Sequence, residues 1–420
     1  MAKLTFVGGI HPYDGKDLSK DKPIQDVLPK GEMVYPLSQH IGAPAKPIVA
    51  KGDRVLAGQK IAESGGFVSA PIYASVSGTV KTIETRRVVT GDLIQSIVID
   101  NDGLYESEEF HPYAPVDKLQ KEEIIDIVKE AGIVGMGGAC FPCHVKLMPP
   151  PGSKPEWVII NAVECEPYLT ADHRLMLEKA DQILVGVQLL MKAANVTKAF
   201  IAIENNKPDA IKLMTEKAAS CPGIEVVPLK VKYPQGGEKQ LIDAVVGRQV
   251  PAPPALPVSV GAIIQNVGTA YAVYEAVMKN KPLFERIVTV TGKSLAHPSN
   301  LLVRMGTPMS QLIDACGGLP EDTGKIIGGG PMMGKALINT EVPTAKGSSG
   351  ILIMNQKEAK RGEIQPCIRC AKCVGACPMG LEPYLLSALA EHAEFERMEK
   401  ERIMDCIECG SCQFTCPANR

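Results

Sequence analysis

The spacing of apolar residues changes several times along this chain. Residues 1–30 hold Gly8-Gly9, Pro12, Pro23 and Pro29 among many charges, a texture that predicts an irregular extension. From 33 to 99, short apolar runs such as Ile48-Val49, Val55-Leu56 and Ile61-Ala62 alternate with turn residues, which predicts a small β sandwich. From 121 to 281 strand and helix patterns alternate. Ile124, Ile125, Ile127, Val128 and Ala131 share one side of a helix over 122–131, which Gly132 stops. Strand runs at 157–160, 199–203 and 226–231 alternate with helix patterns at 174–195, 208–219, 238–246 and 268–278, an order that implies a mostly parallel sheet covered by helices. Residues 287–292 open a third piece with a short helix over 309–316 and a glycine-rich turn within 325–334, read as a small α+β grasp-like domain. The stretches 346–350 and 358–363 read as linkers, and helical patterns at 383–392 and 394–404 join two cysteine runs.

At 420 residues and 45% hydrophobic content, the chain is long enough for about three domains with their own cores. A net charge of −2 and 5% aromatic residues argue against nucleic acid, which favours basic surfaces and stacking rings. No apolar run reaches membrane-spanning length, and the first residues carry no long apolar signal region. The expectation is a soluble or peripheral protein in a reducing compartment.

The most specific pattern lies between residues 367 and 416. It reads C-I-R-C-A-K-C-V-G-A-C-P and then C-I-E-C-G-S-C-Q-F-T-C-P, each a C-x2-C-x2-C-x3-C-P run. Three close thiolates cap three irons of a [4Fe–4S] cubane from one tight loop, and the fourth ligates the other cluster. This assigns Cys367, Cys370, Cys373 and Cys416 to one cluster, and Cys377, Cys406, Cys409 and Cys412 to the second. Structural zinc more often pairs C-x2-C units across a longer spacer, and disulfides need an oxidising compartment. The pattern implies one-electron transfer. Of the remaining cysteines, Cys221 and Cys316 read as small buried residues, and Cys165 carries no assignment. Cys140-Phe141-Pro142-Cys143-His144 fits c-type haem attachment, which the lack of an export signal disfavours; small residues flanking Phe141 is the preferred reading.

Gly135-Met136-Gly137-Gly138-Ala139 follows a helix pattern, and glycines let bare backbone amides approach a planar or phosphorylated ligand. Lys146, eleven residues after Gly135, is placed to meet a phosphate, and Glu164-Cys165-Glu166 follows a strand in a position suited to ribose hydroxyls.

These residues resemble known families. Residues 49–59 with 76–80 resemble lipoyl and biotinyl carrier domains, but the tip region Ala70-Pro71-Ile72-Tyr73-Ala74-Ser75 has no lysine to modify, so a docking surface is expected there. The glycine loop with Phe141, Pro142 and Lys146 resembles the flavin-binding loop of the NADH-oxidising subunit of respiratory complex I, and Asn161-Ala162-x-Glu164-x-Glu166-Pro167 and Asn266-x-x-Thr269 resemble later motifs of that family. Met136, Cys140, Val163 and Lys239 depart from that pattern, standing where it has arginine, glycine, aspartate and glutamate. In detail the chain is more similar to the RnfC family of the Rnf complexes, which are membrane-bound ferredoxin:NAD oxidoreductases. The similarity runs through Gly9-Ile10-His11-Pro12, Glu164-Cys165-Glu166-Pro167-Tyr168, Tyr233-Pro234-Gln235-Gly236-Gly237-Glu238-Lys239, Gly329-Gly330-Pro331-Met332-Met333-Gly334 and the twin cysteine runs.

The resemblance implies a multidomain α/β fold. Its expected pieces are an extension (1–30), a carrier-like, barrel-sandwich-like β domain (31–105), a Rossmann-like FMN/NADH domain (115–282), a grasp-like SLBB domain (285–355) and a helical, ferredoxin-like lobe with two [4Fe–4S] clusters (360–420). It implies FMN at Gly135, Gly137, Gly138, Lys146, Asn161, Tyr233, Gly236, Asn266 and Thr269, and NAD(H) at Phe141, Glu164, Glu166 and Glu238. The implied work is hydride exchange between NAD(H) and FMN, with single electrons relayed through the clusters. The implied partners are membrane subunits that move Na+ or H+ and a ferredoxin-like iron–sulfur subunit, with this chain peripheral on the cytoplasmic face. Two other readings stand beside it: the flavin subunit of a soluble NAD-linked hydrogenase or formate dehydrogenase, and an electron-wire scaffold that has lost nucleotide binding.

Overall fold

The computed structural model describes residues 4–113, 116 and 118–420. Runs of buried residues set the first sheet: Met33 and Tyr35 of Glu32–Pro36 lie opposite Ile99 and Ile97 of Leu93–Asn101. Gly78–Arg87 and Arg54–Val55 complete an antiparallel sheet in the order Glu32–Pro36, Leu93–Asn101, Gly78–Arg87, Arg54–Val55. A smaller sheet of Lys46–Pro47, Lys60–Glu63 and Ile72–Tyr73 closes over it, so that Ile61 and Ile72 share a core with Met33, Val55 and Ile97. The lysine-free stretch 70–75 is buried and docks within the chain: the Tyr73 hydroxyl donates to Glu130 O, and Ser75 Oγ donates to Met305 O at 2.6 Å.

The second module is built on a wholly parallel sheet ordered Ile224–Leu229, Ala199–Glu204, Trp157–Asn161, Ala262–Asn266. Its strands are covered on both faces, as parallel strands require. Val158 and Ile160 face a core shared with helices Lys121–Glu130, Ala180–Ala194 and Val267–Lys279, while Ile159 faces a second core with Glu238–Val246. The single helix expected over 174–195 is two helices, Ala171–Glu178 and Ala180–Ala194, parted at Lys179. The break lets the first lie on strand Glu285–Thr291 of the next module and the second on Val267–Lys279.

The third module carries a six-stranded sheet ordered Ile24–Val27, Ser299–Arg304, Glu285–Thr291, Gly350–Asn355, Thr323–Gly328, Lys335–Ala336, with helix Met309–Ala315 in its core. Its first strand comes from the amino-terminal segment, which is therefore more than an irregular extension. That segment is held by polar bonds in place of a core of its own. Buried Lys16 donates from Nζ to Leu169 O (2.5 Å) and Glu166 O (3.1 Å), and Ser19, Thr170, Thr289 and Asn300 form a buried hydrogen-bonded set. The carboxyl-terminal lobe has only short helices, among them Lys372–Ala376, Pro383–Glu391 and Ser411–Phe414, and buries few apolar side chains.

Residues 346–350, expected as a linker, form a junction. Lys346 is fully buried and donates from Nζ to Pro71 O and Gly132 O, each at 2.7 Å, joining the β module, the α/β module and the third module at one ammonium. Gly132 is required twice over: its φ of +68° ends the helix, and a Cβ there would sit 2.6 Å from Pro71 O and 2.7 Å from Lys346 Nζ. Burial pulls the Lys346 ammonium down to about 7. Lys346→Ala strands two buried carbonyls, so we expect a loss of roughly 3 kcal/mol, read as a lower denaturation midpoint; an unchanged midpoint would show that the junction is held elsewhere.

Candidate functional site

Motifs far apart in sequence converge where the end of the first cysteine run meets the second. The Tyr233 hydroxyl donates to Cys409 O at 2.9 Å, while Tyr233 and Ile10 exchange backbone bonds of 2.9 Å each way. Gly9 N–H donates to Ala376 O at 2.8 Å, and a Cβ on Gly8 would lie 2.5 Å from Cys377 O, so only glycine permits this approach. Met332, from the Gly-Gly-Pro-Met-Met-Gly turn, joins Ile10, Tyr233, Ala376 and Cys409 in one apolar cluster, with Cys165 at its edge. Burial pushes the Tyr233 phenol well above its ordinary range, which keeps it a neutral donor.

The two cysteine runs share a backbone. Arg369 and Ala371 in the first, and Glu408 and Gly410 in the second, all take left-handed φ between 54° and 74°. In each run the amide two residues after the first cysteine donates to its sulfur, Arg369 N to Cys367 Sγ and Glu408 N to Cys406 Sγ, both at 3.4 Å. Cys367, Cys370, Cys373 and Cys416 line one cavity of about 270 Å3 that opens to solvent, and Cys412 also lines it. The Cys412 thiol is pushed up by burial and by its neighbours Cys409, Cys377 and Cys406, so the second set is also grouped in space. The first set rings a space, which suits a multinuclear cluster. No two cysteines are joined in a disulfide.

The glycine loop lies over the carboxyl ends of the parallel strands, where ligands sit in such sheets. Gly135 N–H donates to Phe141 O at 2.8 Å, and Met136 N–H donates to Thr269 Oγ1 at 2.9 Å. Gly137 lies against Asn266, and Gly138 (φ +120°) faces open space, with nothing within 4 Å of a built Cβ. Asn266 caps helix Val267–Lys279 by accepting Gly268 N–H at 2.8 Å, and donates to Asp172 Oδ2 at 2.8 Å. Asn161 Nδ2 donates to Gly236 O at 2.8 Å, Gly236 N–H donates to Cys165 Sγ at 3.3 Å, and Lys146 pairs with Glu238. Seven of the nine residues expected around FMN are thus linked to one another or lie in the loop, whereas Lys146 pairs with Glu238 and donates to Ile264 O, and Tyr233 turns its hydroxyl to the cluster lobe. Gln235, between Tyr233 and Gly236, is fully buried with neither amide atom partnered. An orphaned amide next to Gly236, which bonds Asn161 at the strand end, fits a polar ligand such as FMN.

Phe141 and Glu238 are half-buried, with surface left for contact. Glu164 and Glu166 are engaged by backbone. Glu164 accepts Asp172 N–H (2.8 Å) and His173 N–H (3.3 Å) at the start of helix Ala171–Glu178. Glu166 Oε1 accepts Met332 N–H (2.7 Å) and Met333 N–H (3.1 Å), and Gly330 has no Cβ to collide with it. Val163 packs in the core, and Lys239 reaches Pro251 O. Sequence reasoning passed over Arg286, which is buried and donates to Lys346 O and, at 3.3 Å, to Met136 O in the glycine loop. It also passed over Cys165, although this residue sits inside the Glu164–Tyr168 motif.

A glycine loop joined to twin cysteine runs defines a flavin and iron–sulfur electron-transfer protein, and family models match in the same order. They are an RnfC barrel sandwich hybrid domain over residues 4–104, a Nuo51 FMN-binding domain over 128–275, an SLBB domain over 287–336 and a 4Fe-4S dicluster domain over 359–418. The chain is 49% identical over 398 residues to the RnfC-type component of the proton-translocating ferredoxin:NAD(+) oxidoreductase complex of Clostridium ljungdahlii, covering 94% of this chain and 87% of that one. It is 44% identical over 402 residues to the Na(+)-translocating counterpart of Acetobacterium woodii, covering 96% and 90%. A solved NAD+-reducing [NiFe]-hydrogenase is 20% identical with a TM-score of 0.47, over 58% of this chain and 48% of that one. The chain belongs to the RnfC family of ion-translocating ferredoxin:NAD(+) oxidoreductase complexes. No helix among the described residues is long and apolar enough to cross a membrane.

Burial raises the Glu164 carboxyl to about 7, against the pull of Lys16 and Lys207. A raised folded value means that the proton is held more tightly folded than unfolded. Its stabilising contribution is complete below the ordinary carboxyl value and is lost as pH rises through about 7. Glu164→Gln keeps one oxygen, for the Asp172 amide, turns an NH2 toward the weaker His173 contact, and cannot ionise, so any lost bond adds only a pH-independent offset. Its stability relative to wild type is expected to rise between about pH 5 and about pH 8, measured as denaturation midpoints; a constant difference would remove Glu164 from the response.

Proposed function

We propose that this chain is the peripheral, NAD(H)-facing subunit of an Rnf-type ferredoxin:NAD oxidoreductase, on the cytoplasmic face of the membrane. Partner subunits supply electrons and couple their flow to Na+ or H+ movement. When bound, FMN supplies the exchange between hydride pairs and single electrons. The chain's own residues hold, orient and connect. Gly135, Gly137 and Gly138 offer amides to the cofactor, and Lys146 offers its charge to a phosphate. Asn161, Gly236, Asn266 and Thr269 keep the loop and strand ends in register, and Phe141 and Glu238 face NAD(H). Glu164 and Glu166 support that wall through the amides they accept. Cys367, Cys370, Cys373 and Cys416 hold one [4Fe–4S] cluster, and Cys377, Cys406, Cys409 and Cys412 hold a second.

The observation that carries this reading is the Tyr233 hydroxyl on the Cys409 carbonyl. It ties a residue of the flavin module to the loop of the second cysteine set, which makes that set the one nearer the flavin. A wire without nucleotide binding remains the second reading, favoured by the core position of Val163 and by the backbone bonds of Glu164 and Glu166. The soluble hydrogenase reading gives way to the family membership.

Anaerobically purified chain is expected to hold one FMN and about eight iron atoms, and to pass electrons from NADH to a small dye. Absence of flavin and of NADH response, with iron retained, would select the wire. Cys377→Ser is expected to lose the cluster of Cys406, Cys409 and Cys412 and to spare that of its own run, with Cys416→Ser doing the reverse. Paramagnetic resonance of each reduced variant reads this; loss of the cluster in the mutated run alone would overturn the crossed assignment.

A further inference from the structure

The cluster lobe has a sheltered side and an open side. Cys409 is buried against Tyr233 and Ile10, whereas Cys367 and Cys370 are exposed, and every residue from 360 to 372 is exposed. This extended stretch is anchored beside the first cysteine set: Gln365 N–H donates to Ala418 O at 2.9 Å, and Asn419 Nδ2 donates to Glu363 O at 3.0 Å. Ala418 and Cys416 line the same cavity. The stretch displays Ile364 at 72% and Ile368 at 68% exposure, large apolar side chains flanking an exposed thiol. The stretch itself carries Lys360, Arg361, Arg369 and Lys372 against one carboxylate, Glu363, while across the cavity Glu382 bonds Tyr384 and Glu391 is paired with Arg420. The chain as a whole carries a net charge of −2, so the basic excess is local to this exposed stretch.

We propose that residues 360–372 form the docking face for an acidic iron–sulfur electron carrier, which exchanges electrons with the cluster of Cys367, Cys370, Cys373 and Cys416. The proposal rests on the electron-relay reading above and names its outer terminus. Transfer needs close approach, and this is where the ligands themselves reach the surface. Isoleucines give a dry contact at the centre, and the basic rim orients a carboxylate-bearing partner before contact. With a cluster held by Cys367, Cys370, Cys373 and Cys416, one electron would leave the carrier, which would be oxidised, and reduce that cluster; no bond would form or break.

The test uses the full anaerobically loaded chain and, as probe, a reduced, acidic two-[4Fe–4S] ferredoxin. Carbodiimide coupling with peptide mass spectrometry is expected to join Lys360 or Lys372 to probe carboxylates; links confined to lysines outside 357–372 overturn the proposal. Stopped-flow bleaching of this chain's clusters is expected to slow about tenfold from low to high salt. The double variant Lys360→Glu/Arg361→Glu, with full iron content, is expected to lose about tenfold at low salt and to lose the salt dependence. Ile364→Ser is expected to slow transfer while keeping that dependence. An unchanged rate and salt slope in the double variant overturns the proposal. Failure of wild type to reduce dye from NADH, with cross-links and salt slope as expected, would sink the flavin reading and leave the docking face standing.

Discussion

The hydrogen bond from Tyr233 to the Cys409 carbonyl is a single contact of ordinary length, yet the arrangement of the molecule turns on it. Electron transfer between buried centres weakens steeply with distance, so two modules that exchange electrons must be held in fixed register. The register comes from Tyr233 on one side, the Gly9 amide on Ala376 on the other, and Met332 filling the space between. Tyr233 sits where the Ile10 backbone pairs with it, so the amino-terminal segment acts as a wedge that aims the tyrosine.

Rigidity on this scale is achieved with buried polar groups more than with added apolar area. Lys346 joins three modules through two carbonyls, Arg286 braces the glycine loop from the third module, and Lys16 holds the turn after Glu166. A hydrophobic seam tolerates small slips, whereas a buried ammonium left without its acceptors is costly. Such contacts favour one arrangement over neighbouring ones.

The parts legible in the sequence are those encoded within a short span. The cysteine runs carry their own spacing, the sheet strands carry unbroken apolar runs, and the glycine loop announces close backbone approach. The long-range parts were hidden. Lys346 reads as a linker residue because Pro71 and Gly132 lie far away in the chain, and nothing local distinguishes a buried lysine from a solvated one. The strand Ile24–Val27 pairs with residues near 300, so its local texture of prolines and charges concealed it. Glu166 looked like a group awaiting a ribose, but its carboxylate meets the Met332 and Met333 amides from another module. Several family motifs are signatures of one meeting place, a fact the linear order does not reveal.

The left-handed turns shared by the two cysteine runs bear on how the lobe matures. With the ligands crossed as proposed, neither metal centre can be completed by one run alone, because each borrows its last thiolate from the other. Insertion of iron and sulfide therefore becomes a cooperative event, in which filling one centre helps to fold the receptor for its twin. Oxygen damage should begin at the exposed centre and free the Cys416 thiolate, which the loop of the sheltered centre carries, while that centre keeps all four of its own ligands.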